Sequence, residues 1–385
     1  MRTRIVKDTG ETAGAHPKRP SPDRYIIPVA AKTLDVLEAF RSPDDELTLQ
    51  QVIAKTDIAH ATAFRILYTL VHRGYLTRNA NRYRLASVRR RVKIGYASLS
   101  DDVAISLAIG SSLRKAASAV AMDLVVVDNR NDAKAAVENA RKLVEERVSV
   151  AIEFQNNAEI APVIADIFAT AAIPVIALHI PQPGAVYFGP DNYRAGWTAG
   201  TALAEHAVSR WRRLFDLVLL LDIPQAGMAI GARTTGVLGA LEHVMGTIPA
   251  DKIVRLDTYG SPEESRRMVV SCLREHKAAR RLLISAVSDD NALAALHAVR
   301  ELGLSKNCAI VGHDGTDEAL RAIAEHASPF IGTVAFFPEQ YGRQLIDLAT
   351  GILRGDRVPP SVHVPHRLIT RNNLNQFLSP AAHQA

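Results

Sequence analysis

One segment of the sequence carries the side chains that contact with nucleic acid requires. Arginine pairs with phosphates and guanine edges, and hydroxyl and amide groups bond both phosphates and base edges. We predict that nine residues of this segment contact double-stranded DNA: Thr48, His60, Ala61, Thr62, Arg65, Thr69, Arg78, Asn79 and Arg82. Arg65 is equally suited to an internal ion pair with a carboxylate such as Asp57, and the nearby Tyr68 is better suited to packing.

Signatures of catalysis are missing from the sequence. It contains no GxxxxGK[ST], GxSxG or HExxH motif, and no GxGxxG follows a predicted strand. His363 and His366 flank a Val-Pro pair that indicates an extended segment, which disfavours a metal site. Cys272 and Cys308 lie in different predicted elements, which favours core positions over a nucleophile. The sequence therefore predicts a protein that is not an enzyme, with no catalytic residue, metal or cofactor.

Three helices are predicted to position the DNA-contacting residues. The first has an apolar face formed by Val29, Leu34, Leu37 and Phe40. The second follows Thr48, a suitable N-cap, and runs from Leu49 to about Lys55. The third runs from about His60 to Arg73 and ends at Gly74, which tolerates a left-handed backbone. Its predicted buried residues are Phe64, Leu67, Leu70 and Val71.

A hairpin is predicted to follow the third helix. Tyr75-Leu76-Thr77 and Tyr83-Arg84-Leu85 alternate in polarity around a polar turn at residues 78–81. Helix, short helix, tight turn, helix and hairpin together predict a winged helix-turn-helix domain. In that fold the second helix of the motif enters the major groove, and the hairpin places Arg78 and Arg82 beside the flanking backbone or minor groove.

The distribution of charge separates this domain from the rest of the chain. Residues 1–95 carry 18 Lys and Arg against 9 Asp and Glu, whereas the other 290 residues carry 28 against 31. A basic quarter suggests a polyanion-binding module on a body with another task. The length of 385 residues predicts two or three domains. The sequence has two cysteines, no apolar run near the roughly 20 residues of a membrane span and no secretory segment, so we expect a cytoplasmic protein with no membrane partner.

The predicted winged helix resembles the IclR-type DNA-binding domain over about residues 26–86. The resemblance rests on AKTLDVLEAF (31–40), LTL (47–49), TAFRIL (62–67) and GYL (74–76). It implies operator binding, and the alternative is a small helical domain used for protein contacts. Residues 1–25 are predicted to form a flexible basic tail. Residues 87–91 are predicted to form a cationic linker that either follows phosphates or is simply solvated.

Strands and helices alternate through the body of the chain. From residue 92 four predicted strands and three crossover helices succeed one another, and a second such set follows to about residue 312. This order predicts an α/β fold with parallel doubly wound sheets. Two lobes of this kind leave a cleft at the carboxyl ends of their strands.

The body resembles the type I periplasmic-binding-protein fold, in the sugar-binding branch that the LacI repressor group uses as a regulatory domain. The matching motifs are GPDNYRAG (189–196), RTTG (233–236), Asp289 with ALAAL (292–296), VGHDGT (311–316), GTV (332–334), and Gly342 after Pro338. The resemblance covers about residues 92–377 as a sensor domain. It implies one lobe of residues 92–190 and 336–364, a second of residues 191–335 and 365–377, and three crossings that let the lobes close on a ligand.

The same resemblance implies a set of ligand-binding positions. They are Asp101, Asp102, His179, Asp191, Asn192, Arg233, Asp289, Asp314 and Phe336. Charged groups suit a polyhydroxylated ligand because each can hold two hydroxyls. Alternatives stay open for several: Asp191 as a helix cap, Asp314 as a support for its Gly-rich turn, an Arg233–Asp289 pair in an empty cleft, and His179 as an ordinary hydrogen-bonding histidine.

Departures from the sugar-binding pattern narrow the ligand prediction. Residues 101–104 lack the aromatic rings that the family places after its first strand. His179 stands where the family has an aspartate, Phe336 where it has a polar side chain, and Ser288 where it has an asparagine. The expected effector is a sugar, a polyol or a sugar derivative, with a cationic or more compact ligand as the alternative.

The combined resemblance predicts a ligand-controlled transcriptional regulator. We expect a repressor that binds operator DNA as a homodimer or higher homo-oligomer, because paired half-sites multiply specificity. The alternative from another class is the solute-binding protein of a sugar importer, which the attached winged helix disfavours. An enzyme with unrecognised cleft chemistry is a third and weaker hypothesis.

Overall fold

The computed structural model describes residues 25–42, 45–86 and 92–377. The chain divides into two compact units, Met1–Arg90 and Arg91–Ala385, called here the N-terminal and C-terminal units. The predicted tail, apart from Tyr25, and the predicted linker at 87–91 lie outside the described residues. No helix within the described ranges is long and apolar enough to cross a membrane.

The N-terminal unit consists of three helices and a small antiparallel sheet. Its elements are α1 (Pro28–Glu38), β1 (Glu46–Thr48), α2 (Leu49–Thr56), α3 (His60–His72), β2 (Leu76–Asn79) and β3 (Arg82–Leu85). The strand order is β1-β3-β2. The three helices and the hairpin of the sequence prediction are confirmed, Gly74 has the predicted left-handed backbone, and β1 is an additional strand.

The buried faces of α1 and α3 differ from the predicted ones. Val29, Leu34 and Phe64 were expected in the core but are 59%, 57% and 42% exposed. In α3 the core residues are Ala63, Ile66, Leu67 and Leu70, which have the i, i+3, i+4, i+7 spacing of one helix face. Hydrophobicity favours the large Phe64 over the small Ala63 as a core residue, so the predicted buried face of α3 is displaced by one residue. In α1 the core residue is Val36, and the first half of the helix is exposed.

The C-terminal unit alternates strands and helices. Its strands are β4 (Lys93–Ser98), β5 (Asp123–Asp128), β6 (Val150–Phe154), β7 (Val175–Leu178), β8 (Val186–Pro190), β9 (Leu217–Asp222), β10 (Ile253–Asp257), β11 (Leu282–Ala286), β12 (Cys308–Asp314), β13 (Phe330–Ala335), β14 (Ser361–Val364) and β15 (Arg367–Thr370). Its helices are α4 (Ala104–Ala119), α5 (Ala133–Glu145), α6 (Ala161–Thr170), α7 (Asn192–Trp211), α8 (Gly227–Met245), α9 (Pro262–Glu275), α10 (Asp289–Glu301), α11 (Asp317–Ala324) and α12 (Tyr341–Arg354).

These strands form two six-stranded sheets, and each sheet defines a lobe. Lobe 1 has the order β14-β8-β7-β6-β4-β5 and is entirely parallel. Lobe 2 has the order β10-β9-β11-β12-β13-β15 and is parallel except for β15, which runs antiparallel to β13. Two doubly wound lobes confirm the predicted α/β fold class.

The chain passes between the lobes three times. It leaves lobe 1 after β8 and enters α7, which packs on the sheet of lobe 2. It leaves lobe 2 after β13 and enters α12, which packs against α4 of lobe 1. The third passage joins β14 of lobe 1 to β15 of lobe 2. Residues near these passages are therefore held by both lobes.

Candidate nucleic-acid interface and ligand cleft

The exposed face of α3 carries the predicted DNA-contacting residues. His60, Ala61, Arg65 and Thr69 are exposed, and Thr62 is partly exposed. The hydroxyl of Thr69 donates to the backbone carbonyl of Arg65 at 2.7 Å. Because the opposite face of α3 is fixed in the core, this face is presented outward as a rigid unit.

Arg65 is free of ionic partners among the described residues: no carboxylate oxygen lies within 4.0 Å of its guanidinium. Asp57, the proposed alternative partner, instead ends α2 in a left-handed conformation with φ of 53°. Tyr68 was expected to pack, but it is 63% exposed. Its ring lies 6.4 Å from that of Phe64, so two aromatic rings border the basic face. Their i, i+4 spacing was visible in the sequence.

Neutral groups orient Arg78 and Arg82 of the hairpin. The Nε of Arg78 donates to the carbonyl of Ala80 at 2.9 Å, and its guanidinium lies 5.6 Å from the centre of the Tyr83 ring. The Nη1 of Arg82 donates to the carbonyl of Glu46 at 3.5 Å, and Asn79 is exposed opposite Arg82. These contacts orient both cations without neutralising them, which leaves their charge for phosphates.

Thr48 has a structural task in this unit. Its hydroxyl accepts from the backbone N–H of Gln51 at 3.3 Å, and the Gln51 side chain accepts from the Thr48 N–H at 2.8 Å. This capping box fixes the start of α2. The predicted cap is confirmed, and a DNA contact by Thr48 stays a prediction.

Arg233 lies at the centre of the ligand-binding positions in the C-terminal unit. The side chain is 4% exposed, its Nε donates to the Oδ1 of Asn192 at 2.7 Å, and its Nη1 donates to the carbonyl of Val287. Gly196 of α7 makes this placement possible, because a Cβ there would lie 1.9 Å from the carbonyl oxygen of Arg233. Helices α7 and α8 therefore approach closely enough to fix the guanidinium.

Arg233 stacks on one ring of an aromatic cluster. Its guanidinium lies 4.8 Å from the centre of the Phe336 ring, and the imidazoles of His179 and His313 each lie 6.2 Å from that ring. The rings of His179 and Tyr341 are 6.1 Å apart. Phe336, predicted as a ligand residue, thus contributes a stacking surface where a polar side chain was expected from the resemblance.

Three polar atoms in this group are buried without a hydrogen-bond partner among the described residues. They are the Nε2 of His179, the Nε2 of His313 and the hydroxyl of Tyr341. Burial, aided by the charge of Arg233, lowers the pKa of His179 to about 3. The same two causes lower the pKa of His313 to about 3. Both imidazoles are therefore neutral at physiological pH. The Nδ1 of His313 donates to the carbonyl of Ala286 at 2.8 Å, so the Nε2 of His313 is an acceptor, whereas the Nε2 of His179 donates or accepts according to its tautomer.

Asp289 supports the turn that follows β12, and a ligand contact by Asp289 stays a prediction. One carboxylate oxygen accepts from the N–H groups of Gly315 and Thr316, each at 2.8 Å, and the other accepts from the Thr333 hydroxyl at 2.7 Å. The residue is 0% exposed, and burial raises its pKa to about 7 against these donors. No ion pair joins it to Arg233 among the described residues. Asp289 holds the turn after β12.

That turn presents Asp314, the last residue of β12. Asp314 is partly exposed and has an unusual φ of 119°. Burial raises its pKa well above the usual range, and the opposing attraction comes from Arg233. Asp314 and Arg233 therefore attract each other electrostatically. Asp289 contributes by fixing the turn that positions Asp314.

Asp191 and Asn192, at the first passage between the lobes, have different roles. Asp191 caps α7, because its Oδ1 accepts from the N–H of Arg194 at 3.0 Å. Asn192 is 7% exposed and holds Arg233, and its Nδ2 lies 3.5 Å from the Tyr187 hydroxyl. The cap alternative for Asp191 is confirmed, and a ligand contact by Asp191 remains a prediction.

Asp101 and Asp102 lie apart from the buried group. Both are exposed in the turn that follows β4. Asp101 accepts from the Ser98 hydroxyl at 3.3 Å, and the N–H of Asp102 donates to the Ser100 hydroxyl at 3.1 Å. Sequence reasoning missed His313, Tyr187 and Tyr341, although His313 stands beside Asp314 in the quoted motif.

Two family descriptions match the chain. Residues 29–80 match the IclR helix-turn-helix domain, and residues 101–357 match the periplasmic binding protein domain. The first match falls on α1 to β2, and the second spans both lobes.

Relatives and solved structures resemble the C-terminal unit. The ribose import binding protein RbsB of Haemophilus influenzae is 25% identical over 294 residues, covering 74% of this chain and 93% of that protein. RbsB of Bacillus subtilis is 23% identical over 287 residues, and the alignment covers 73% of this chain and 87% of that protein. A solute-binding protein from Mycobacterium smegmatis with bound glycerol has a TM-score of 0.66 at 21% identity, covering 75% of this chain and 97% of that one. One from Agrobacterium vitis with bound allitol has a TM-score of 0.65 at 19% identity, covering 74% and 97%.

Proposed function

We propose a mode of action for a chain that belongs to the periplasmic binding protein domain family and carries an IclR helix-turn-helix domain ahead of it. This combination makes the protein a ligand-responsive transcriptional regulator. Neither domain family is catalytic. We infer that the ligand is a sugar, a polyol or a sugar derivative bound between the lobes, and that its binding changes the affinity for operator DNA.

The DNA half of the proposal rests on α3 and the hairpin. Arg65 is exposed without an ionic partner in the described part of the chain. Backbone carbonyls orient Arg78 and Arg82, and the Tyr83 ring also contacts Arg78. In such domains the exposed face of the recognition helix reads base edges and the hairpin contacts the flanking backbone. We therefore assign sequence preference to the α3 face and non-specific affinity to the hairpin.

The ligand half rests on one observation, the three unpartnered polar atoms around Arg233 and Phe336. Buried polar atoms are almost always hydrogen-bonded in native proteins, so a cluster of unpaired ones marks a place that a polar ligand fills. Hydroxyl groups suit it because they both donate and accept: the Nε2 of His313 needs a donor, since its Nδ1 already donates to Ala286, and the Nε2 of His179 can do either. The Phe336 ring suits the apolar face of a sugar. The names of the RbsB relatives, which concern ribose import, support the same class of ligand.

Control of DNA binding requires that the ligand prefer one arrangement of the lobes. A ligand shifts an equilibrium only by its difference in affinity for the two states. The ligand positions lie on both lobes, with His179 on lobe 1 and Arg233 on lobe 2, so closure completes the site. We propose that the protein acts as a homodimer or larger homo-oligomer and as a repressor that ligand releases.

The solute-binding protein of a sugar importer is the alternative, since the relatives above are of that kind. The two hypotheses differ in DNA binding. The experiment measures binding of the full chain to the DNA upstream of its own gene by fluorescence anisotropy at several salt concentrations, with and without sugars and polyols. We expect log K to fall with log salt concentration with a slope of about −0.9 for each neutralised phosphate. We also expect at least one ligand to change the affinity for DNA. Ligand binding without any DNA binding would favour the importer hypothesis.

A further inference from the structure

A cluster of cationic side chains lies at the edge of lobe 2 where its strands begin. Strands β10, β9 and β11 are neighbours and run parallel, so the segments that precede them meet at one edge of the sheet. Asp314 ends the parallel strand β12, which places this ligand position at the opposite edge. The cluster, called here the basic edge, consists of six residues: Arg210, Arg212, Arg213, Lys277, Arg280 and Arg281.

The basic edge concentrates positive charge in a part of the chain that is slightly acidic as a whole. Residues 209–216 and 276–281 hold six of the 28 Lys and Arg of residues 96–385, and their one carboxylate is Asp216. Five of the six cations are exposed, and Arg281 is partly exposed. None of the six lies within 4.0 Å of a carboxylate oxygen among the described residues. These like charges therefore repel one another, and a bound polyanion relieves the repulsion.

Hydrogen bonds join the two segments into one surface. The Oδ2 of Asp216 accepts from the N–H groups of Arg280 at 2.9 Å and of Arg281 at 2.8 Å. The N–H of Asp216 donates in turn to the carbonyl of Arg281 at 2.9 Å. Arg212 and Arg213 follow one another with left-handed backbones at φ of 53° and 66°, where α7 ends. The two segments are thus fixed against each other, and Asp216 is engaged with backbone groups.

The side chains of this surface suit phosphate groups better than a protein partner. Trp211 and Phe215 are buried, so their rings are not presented to a partner. Leu214 is the one exposed large apolar side chain in the described residues of both segments. Protein interfaces have an apolar or aromatic core, which a single leucine does not provide. Guanidinium groups bind phosphate oxygens in pairs, so a group of arginines suits a chain of phosphates.

The local structure favours contact with the phosphate backbone alone. Residues 212–216 and 276–281 are turns and loops, and neither segment offers a helix or hairpin that could enter a DNA groove. We propose that the basic edge binds the sugar–phosphate backbone of duplex DNA without sequence preference, as a second DNA contact besides α3. This proposal rests on the proposed function, because a chain held on DNA by α3 experiences a high local concentration of that polyanion.

The experiment measures binding of a labelled random-sequence duplex to the full chain by fluorescence anisotropy at several salt concentrations. The parent protein has its winged helix silenced by three substitutions, Arg65→Ala, Arg78→Ala and Arg82→Ala. The test variant adds three substitutions in the basic edge, Arg212→Gln, Arg213→Gln and Arg280→Gln. The matched control removes the same charge from exposed arginines of lobe 1, by Arg130→Gln, Arg141→Gln and Arg147→Gln. Two of these control positions, Arg130 and Arg147, also have left-handed backbones.

We expect the test variant to lose affinity and salt dependence together. At about 50 mM salt its Kd should rise at least about tenfold above that of the parent, and its slope of log K against log salt concentration should shrink by about 2.7, at about 0.9 per lost phosphate contact. The control should stay within about threefold of the parent. Thermal unfolding verifies that each variant is folded. If the test variant does not fold, Lys277→Gln with Arg280→Gln replaces it, and the slope should then shrink by about 1.8.

Two results would overturn the proposal. Equal losses in the test and control variants would show that net charge alone governs the residual binding. Polyglutamate that binds the parent as strongly as DNA of equal charge, and depends on the same arginines, would indicate an acidic protein as the partner.

Operator selectivity of the chain with an intact winged helix separates this proposal from the proposed function. Normal operator binding, without any effect of the basic edge on the random duplex, would overturn the second contact and leave the proposed function standing. Absence of operator preference, with random-duplex binding that still depends on Arg212, Arg213 and Arg280, would leave the second contact standing while the proposed function fails.

Discussion

The arginines of the N-terminal unit and Arg233 of the C-terminal unit place the same guanidinium group in opposite surroundings. Arg65, Arg78 and Arg82 are exposed. Arg65 has no ionic partner among the described residues, and the partners of Arg78 and Arg82 are backbone carbonyls and an aromatic ring. Arg233 is 4% exposed, bonded to Asn192 and Val287 and stacked on Phe336, and burial lowers its pKa.

The difference indicates how each unit recognises its partner. Exposed cations act on a polyanion at long range and are screened by salt, so each adds a similar and partly replaceable share of affinity. A buried guanidinium has a fixed direction, and leaving any of its neighbours unpaired is costly. Substitutions in the cleft should therefore give large, specific losses, and those on the hairpin should give small, salt-dependent ones.

The largest expected effect is on stability and comes from Asp289→Ala. Removal of this carboxylate leaves the N–H groups of Gly315 and Thr316 and the hydroxyl of Thr333 without an acceptor. Breaking a buried network around a charge costs about 3–5 kcal/mol. Chemical denaturation measures the loss. Asp290→Ala, the neighbouring and partly exposed carboxylate, is the control and should cost about 1 kcal/mol or less. Equal losses in the two variants would contradict the role given to Asp289.

Arg233→Met should remove the ligand response while leaving DNA binding intact. A ligand present at 100 times its Kd stabilises the native state by about 2.7 kcal/mol, and this increment should vanish because the central hydrogen-bonding group is gone. Thermal unfolding with and without the effector measures it. Arg194→Met, an exposed arginine on α7, should keep the full shift. A retained shift in Arg233→Met would place the ligand elsewhere.

Arg65→Ala should reduce operator selectivity by about 1–3 kcal/mol, because a bidentate contact to a base edge is worth that much discrimination. The measurement is the ratio of Kd values for operator DNA and a scrambled sequence. Arg73→Ala, at the end of the same helix, serves as the control and should leave the ratio unchanged. Normal selectivity in Arg65→Ala would show that α3 does not read sequence through this residue.

The buried histidines predict acid sensitivity. The pKa of His179 falls from its ordinary value of 6.5 to about 3 on folding, so the unfolded chain takes up a proton first as the pH drops. Stability is therefore complete above pH 6.5 and decreases below it, by about 1.4 kcal/mol at pH 5.5 from this residue. His179→Asn, which tolerates the left-handed backbone at φ of 61°, should lessen the decrease by that amount. The exposed His326→Asn should follow the wild type, and parallel curves for all three proteins would contradict the assignment.

The smallest effect is expected from Arg82→Ala. Loss of one phosphate contact should reduce the slope of log K against log salt concentration by about 0.9 and weaken all DNA sequences alike. Lys115→Ala, an exposed cation on α4, should leave the slope unchanged. A sequence-dependent effect of Arg82→Ala would mean that the hairpin reads bases and would narrow the contrast between the exposed and buried arginines.

The fold was predictable because it depends on periodic patterns. Period-2 and period-3.6 runs marked most of the strands and helices, and motif order indicated the two lobes. The error at Phe64 arose because hydrophobicity alone cannot decide between Ala63 and Phe64 as the buried neighbour. The packing of α3 settled it in favour of the smaller side chain.

The site was only partly predictable, since its hydrogen bonds join distant segments. The motif around Asp314 was visible, but the bonds from Asp289 to Gly315, Thr316 and Thr333 depend on the meeting of β12, β13 and α10. The N–H of Ala158 in lobe 1 donates to the carbonyl of Gln225 in lobe 2 at 2.8 Å, and nothing in the sequence brings these two segments together. Such pairs become visible only when the lobes are in place.

The three passages between the lobes also govern the order in which the protein is completed during synthesis. Strand β14 closes one edge of lobe 1 beside β8, and β15 closes one edge of lobe 2 beside β13, so both edges stay open until residues 361–370 have emerged. The N-terminal unit is continuous in sequence and can fold far earlier. A chain that stops before Ser361 loses the edge strands of both sheets at once and exposes β8 to pairing with other chains. Premature termination would therefore leave a folded DNA-binding unit attached to an aggregation-prone sensor.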